Sequence, residues 1–263
     1  LMLPNQTRVV IIGGGIMGCG LAYHLAHEGW TDVVLLEKAE LTSGSTWHAA
    51  GQITQSTSSF SLGKMVDYNI GLYSHRLEEE TGQAISWHGC GSLRLAYSKD
   101  EMDWLRQTLS VGRALQFNIE LISPERIAQL HPFYQLEGDL GALHTPDDGH
   151  VDPSNIAMGL AAGARQLGVT ISRRNRATGV SQTPGGEWIV NTEQGDIRCE
   201  HVVNAAGTYA RQIGERTNHI LPMTSMTHHY LVTDPVPEFQ NLESELPVIR
   251  DDQQVSGYIR MEQ

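Results

Sequence analysis

The chain has 263 residues, 40% of them hydrophobic and 27 of them glycine, which excludes a disordered or collagen-like polypeptide and supplies a large core. Thirty acidic against 18 basic side chains give a formal charge of -12, so general affinity for nucleic-acid backbones or anionic membranes is not expected. Three cysteines, Cys19, Cys90 and Cys199, make neither a C-x-x-C pair nor a complete disulfide set, which points to a reducing compartment. The apolar run 9–12 is too short to span a bilayer and no signal-peptide pattern opens the chain. The expected location is cytoplasmic, or the mitochondrial matrix if a targeting peptide was removed.

Residues 8–12 are a β-branched strand, 13–18 read G-G-G-I-M-G, and Leu21, Ala22, Leu25 and Ala26 recur at helical spacing before Gly29. Residues 33–36 form a second buried strand ending at Glu37, 19 residues beyond Gly18. Strand, tight turn, helix and strand with a terminal acid match the dinucleotide-binding βαβ unit. Gly13 permits the turn, Gly15 admits a pyrophosphate, and Gly18 lets the helix approach the strand; Ile16 and Met17 complete the turn. Free N–H groups and the helix dipole favour a diphosphate there, while Glu37, followed by Lys38, reaches ribose hydroxyls. This unit alone does not separate FAD from NAD.

Residues 41–51, L-T-S-G-S-T-W-H-A-A-G, have no apolar period and form a loop directly after the ribose-binding strand. A broken apolar stripe through Met65, Tyr68 and Leu72 predicts a helix over 62–80 whose acidic run 78–80 is a solvated face. A strand over 91–97, a helix over 99–115 and a short helix opened by Ser123-Pro124 and ended by Pro132 follow. A Gly/Ala-rich helix begins at Asp152 or Pro153 and reaches about Leu167, and the strand 169–172 returns the chain to the nucleotide sheet. Strands 178–182 and 188–192 flank a P-G-G hairpin signal, 197–203 is a further strand entering a glycine turn, and Tyr209 opens a helix. His228 and His229 alternate on an expected strand, so one of them faces away from any pocket. With no third ligand at suitable spacing, no metal is expected. A last strand is expected over 255–261, with no turn after it.

The S-T-W-H-A-A-G loop resembles the FAD-dependent dimethylglycine dehydrogenase and sarcosine dehydrogenase family of the D-amino-acid-oxidase superfamily. L-E-E-E-T-G at 77–82, G-S-L-R-L-A at 91–96, D-G-H-V-D-P at 148–153, N-A-A-G at 204–207, H-H-Y-L-V-T at 228–233 and Y-I-R-M-E at 258–262 extend the similarity over essentially the whole chain. One departure is R-T-N-H-I at 216–220, where relatives carry a short glycine-containing apolar stretch. The implied fold is α/β: a Rossmann-like FAD-binding domain from 1–85 and 145–220, with a mainly antiparallel β-sheet substrate domain from 86–144 and 221–263. Relatives continue beyond this point, so the chain reads as the N-terminal part of the flavin domain, truncated at its C-terminus.

The resemblance implies FAD bound covalently through His48, with Gly44, Ser45, Thr46, Trp47, Ala49, Ala50 and Gly51 around it and with Ala177 and Tyr209 beside the cofactor. A neutral imidazole is a competent nucleophile near neutral pH, which suits His48 to that bond. It further implies His228 and Tyr258 as active-site residues, His228 relaying the ammonium proton and Tyr258 hydrogen-bonding the substrate. The implied reaction is oxidative N-demethylation of a small N-methylated amino acid, dimethylglycine or sarcosine, by hydride transfer to flavin N5. Electrons would pass to an acceptor protein or oxygen. Oxidation of another amine or amino acid, and FAD binding without turnover, are the alternatives. A downstream folate-binding region of relatives is not present here.

Overall fold

The computed structural model describes residues 3–252 and 257–261. It divides into two compact units: Leu1–Ala50, Arg76–Ser86 and Asp152–His228, and Gly51–His75, Trp87–Val151 and His229–Gln263. Residues 51–75 and 145–151, expected in the nucleotide domain, cluster with the second unit, and 221–228, expected in the substrate domain, cluster with the first. Local pairing accounts for the first shift: Gln52–Ile53 forms an antiparallel ladder with Gly149–His150, and His150 bridges to His88 of the second unit.

The first unit is built on a six-stranded sheet in the order Thr170–Ser172, Val33–Leu36, Gln6–Ile12, Gly195–Asn204, Trp188–Thr192, Ala177–Gln182. The first four strands run parallel, and the last two add an antiparallel hairpin. Every residue of Val33–Leu36 is buried, as a parallel strand covered on both faces requires. One face holds Val10, Ile12, Val34 and Leu36 in a core with Val180, Val190, Ile197 and Ile213. Helices Ile16–His27 and Pro153–Gln166 pack together, close enough that a Cβ on Gly163 would stand 2.8 Å from the Tyr23 ring. Asp152 starts the second of these helices by accepting the Asn155 N–H at 2.9 Å, with Pro153 at its first position.

The second unit carries a five-stranded sheet in the order Gly257–Ile259, Val248–Asp251, Ser92–Ala96, Gly141–Thr145, Glu120–Ile122. Its pairs are antiparallel except Val248–Asp251 with Ser92–Ala96, so it is the mainly antiparallel sheet expected. Helix Lys99–Ala114 covers it behind a reciprocal cap between Ser98 and Glu101. The helix expected over 62–80 runs from Phe60 to Thr81 with a π-helical turn at Leu72–Arg76. Part of the strand expected over 255–261 lies outside the described residues; Gly257–Ile259 is the part seen.

The strand expected at 228–233 does not form. Strand backbone needs a neighbouring ladder to satisfy its N–H and C=O groups, and none pairs with this segment among the described residues. Leu231 is 85% exposed in consequence. The alternation that would have sorted His228 from His229 is therefore lost, and both side chains are exposed.

Candidate functional site

Strand Gln6–Ile12 ends at a turn whose backbone leaves no room for side chains. Gly13 has φ +120° and a Cβ there would lie 2.2 Å from the Ala205 carbonyl oxygen; a Cβ on Gly18 would lie 1.8 Å from the Gly13 oxygen. The turn is thus closed against strand Gly195–Asn204 on one side and the first turn of helix Ile16–His27 on the other. Gly15 takes the N-cap position in extended conformation without a side-chain cap, and Met17 beside it is exposed. A helix N-terminus whose N-cap glycine offers no side chain, reached by bare glycine backbone, is an anion cradle.

Glu37 is buried at the end of Val33–Leu36, where its Oε2 accepts the Gly14 N–H and its Oε1 the Ala39 N–H, both at 2.8 Å. Asn175, fully buried, donates its N–H to the Glu37 carbonyl at 2.9 Å; no pattern in the sequence marked it. Cys19 sits behind the turn with its Sγ 3.6 Å from the Gly14 oxygen. Burial, then the nearby Glu37 charge, pushes its thiol up to about 12, so it stays protonated and inert. Lys38 places its Nζ 3.3 Å above the ring of Tyr209, which ends the 3-10 turn Gly207–Tyr209 ahead of helix Ala210–Arg216.

The loop after the second strand returns to this cradle. Gly44 and Ser45 are exposed and lead into the 3-10 turn Thr46–His48, whose Thr46 side chain is buried and accepts the Ile16 N–H at 3.0 Å. Trp47 and His48 project to solvent with ring centroids 3.7 Å apart, and Ala49 closes the turn by donating its N–H to the Thr46 carbonyl at 3.1 Å. Ala50 is half-buried, and Gly51, with φ +75°, belongs to the second unit, where its carbonyl accepts the Val151 N–H. Ala177 is buried at the start of its strand, and its carbonyl accepts from Arg216 Nη1 at 3.3 Å.

His228 lies in the irregular segment after Leu221, which is tied to the Gly207–Tyr209 turn by a Thr208–Ser225 hydroxyl contact. Tyr258 is half-exposed on strand Gly257–Ile259 of the second unit. The first unit therefore brings Gly13, Gly15, Ile16, Gly18, Glu37 and Thr46–His48 to one end of its sheet. Bare backbone at Gly13 and Gly18, a helix N-terminus whose N-cap is glycine and a buried acid at the second strand fit the adenine dinucleotide of FAD.

The family model described as FAD dependent oxidoreductase, DAO, matches residues 8–263. Dimethylglycine dehydrogenase, mitochondrial, of Rattus norvegicus is 43% identical over 98% of this chain, which spans 30% of that protein's length. The mitochondrial pyruvate dehydrogenase phosphatase regulatory subunit of Mus musculus is 38% identical over 95% of this chain and 28% of its own. The solved structure of L-proline dehydrogenase from P.horikoshii superposes with a TM-score of 0.86 at 24% identity, covering 99% of this chain and 68% of that one, which speaks to the fold. Cradle, sheet order and a family match running from Arg8 onward agree: this chain belongs to the DAO family of FAD-dependent oxidoreductases.

Proposed function

We propose that the chain holds FAD in an oxidoreductase that N-demethylates a small N-methylated amino acid, dimethylglycine or sarcosine. The first unit is its flavin-binding part and the second contributes to the substrate side. When bound, FAD supplies the acceptor for the hydride equivalent that leaves the substrate C–H. The residues of this chain do the rest. Gly13, Gly15 and Gly18 would receive the diphosphate, with the backbone of Ile16 and Met17, Glu37 and Lys38 would take the adenosine ribose, and Ala177 and Tyr209 would lie beside the cofactor. His48, carried by the turn Thr46–His48, would hold the flavin covalently. His228 removes the ammonium proton so that the nitrogen lone pair is free, and Tyr258 orients the amine. Electrons pass to an acceptor protein or to oxygen. The mitochondrial relatives support the matrix over the cytoplasm.

The observation that carries this reading is the Thr46 to Ile16 hydrogen bond, which ties the loop bearing an exposed His48 to the helix end that receives a dinucleotide. The test is the visible spectrum of the purified chain before and after acid precipitation, then anaerobic addition of N-methyl glycines and other amines. Yellow colour that stays with the pellet, is lost in His48→Ala, and bleaches with dimethylglycine or sarcosine is the expected result. Colour that all washes out sinks the covalent bond.

The similarity to a protein named as a regulatory subunit favours a second reading, flavin binding without turnover. Retained flavin that no amine bleaches is the outcome that selects it. Bleaching by a non-methylated amine alone selects oxidation of another amine on the same scaffold.

A further inference from the structure

The second unit contains a cluster that no part of the flavin chemistry uses. His88 and His150 face each other in an antiparallel bridge, with His88 N–H to His150 O at 2.9 Å and His150 N–H to His88 O at 3.0 Å. A directly paired bridge puts both side chains on one face, and the two imidazoles stack with centroids 4.6 Å apart and planes 5° from parallel. Glu245 arrives from a third segment and spans both rings, its Oε2 2.9 Å from His88 Nδ1 and its Oε1 2.5 Å from His150 Nε2.

We propose that His88, His150 and Glu245 form a binding site for one divalent transition-metal ion of the zinc class. The three donor atoms lie within 4.8 Å of one another, and Glu245 comes from 95 residues beyond His150 and 157 beyond His88. Two imidazoles with one carboxylate is an established zinc donor set, and nitrogen donors disfavour calcium or magnesium. His150 is nearly buried, at 3% exposure, while His88 at 23% and Glu245 at 17% leave a path for the ion and a water in the fourth position.

Donor atoms around tetrahedral zinc stand about 3.3 Å apart, given bonds of about 2.0–2.1 Å. The present contacts are shorter because hydrogens bridge them. On binding, each ring moves its hydrogen to its other nitrogen and the two rings turn out of their parallel stack, since lone pairs in parallel planes do not meet at one ion. Arg260 opposes this step: its Nη1 lies 3.4 Å from His150 Nδ1, the nitrogen that must then carry the hydrogen. A guanidinium can only donate, so it must withdraw.

The experiment is calorimetric titration of the untagged, chelator-treated whole chain with ZnCl2, with circular dichroism to confirm folding. One equivalent of zinc is expected, with affinity at least tenfold weaker in His88→Gln and in Glu245→Gln and stronger in Arg260→Gln. His88 and Glu245 are chosen because they are partly exposed. Absence of stoichiometric binding, or binding that both ligand variants leave unchanged, overturns the proposal. Flavin content is read separately, so the result does not depend on the proposed oxidoreductase function.

Discussion

Thr46 Oγ1 accepts the backbone N–H of Ile16 at 3.0 Å, joining the loop that bears His48 to the first turn of the helix behind the glycine cradle. A helix N-terminus leaves its first N–H groups without intrahelical partners, and this contact satisfies one of them from 30 residues away in sequence. The loop thereby gains a fixed end at Thr46 while Trp47 and His48 remain solvent-accessible.

Thr46→Val keeps the shape of the side chain and removes its acceptor. The variant is expected to lose about 1 kcal/mol of stability, the cost of a part-buried N–H left unpaired. In a chain of this size that lowers Tm by about 2–4 °C. Thr46→Ser should restore most of it, and the fraction of flavin retained after acid precipitation should fall and recover in parallel. Equal covalent flavin in all three proteins would separate the latch from His48 chemistry.

Gly18→Ala places a methyl group 1.8 Å from the Gly13 carbonyl oxygen, a backbone atom that cannot rotate away. Overpacking of this kind costs about 1–3 kcal/mol or more, and it opens the turn that receives the diphosphate. Both Tm and the flavin-to-protein absorbance ratio should drop. Gly71→Ala is the control: its Cβ would meet nothing within 4 Å at the end of helix Phe60–Gly71, and the substitution should be neutral or stabilising by up to about 1 kcal/mol.

Asp148 is fully buried in the second unit, where Thr54 Oγ1 donates to it at 2.7 Å, the Gln55 N–H at 2.8 Å, and the Ser92 hydroxyl as well. Burial outweighs these donors and raises its carboxyl from the ordinary aspartate range to about 6. The folded state then binds a proton more tightly than the unfolded state. Its contribution to stability is fully present below about pH 4 and is lost as pH rises through about 6, an effect on the order of 1–3 kcal/mol. Denaturant titrations from pH 4 to 7 should show wild-type stability falling relative to Asp148→Asn. A difference that is flat or rises over that range would contradict the assignment.

His228→Ala, if this side chain removes the substrate ammonium proton, should slow anaerobic flavin bleaching by about 10²–10⁴-fold. Tyr258→Phe should give a smaller loss, because it removes a hydrogen bond to the amine and not the base. Unchanged bleaching across pH in His228→Ala would remove its proposed role.

Much of the nucleotide-sheet architecture was legible in the chain because each piece is local. The run Val9–Ile12, the 13–18 turn, the helical recurrence of Ala22 and Ala26 and the strand Val33–Leu36 are each set by contiguous periodicity, and right-handed crossover leaves few ways to assemble them. The edge hairpin was signalled by P-G-G, and Asp152-Pro153 announced its helix through capping chemistry. Strand Val248–Asp251 was missed, since four residues with Arg250 and Asp251 among them carry no period-2 signal. Its place in the sheet comes from pairing with Ser92–Ala96, about 150 residues earlier in the chain.

Sequence by itself determined the βαβ turn, the acid at its second strand and the loop that follows, because steric freedom at glycine and apolar spacing act over a few neighbouring residues. Only the tertiary structure decided that Thr46 caps the cradle helix, that His88 and His150 stack beneath one carboxylate, and that residues 228–233 run without a partner strand. Those outcomes depend on which distant segments meet, and hydrogen-bond complementarity across such separations leaves no period in the sequence to read.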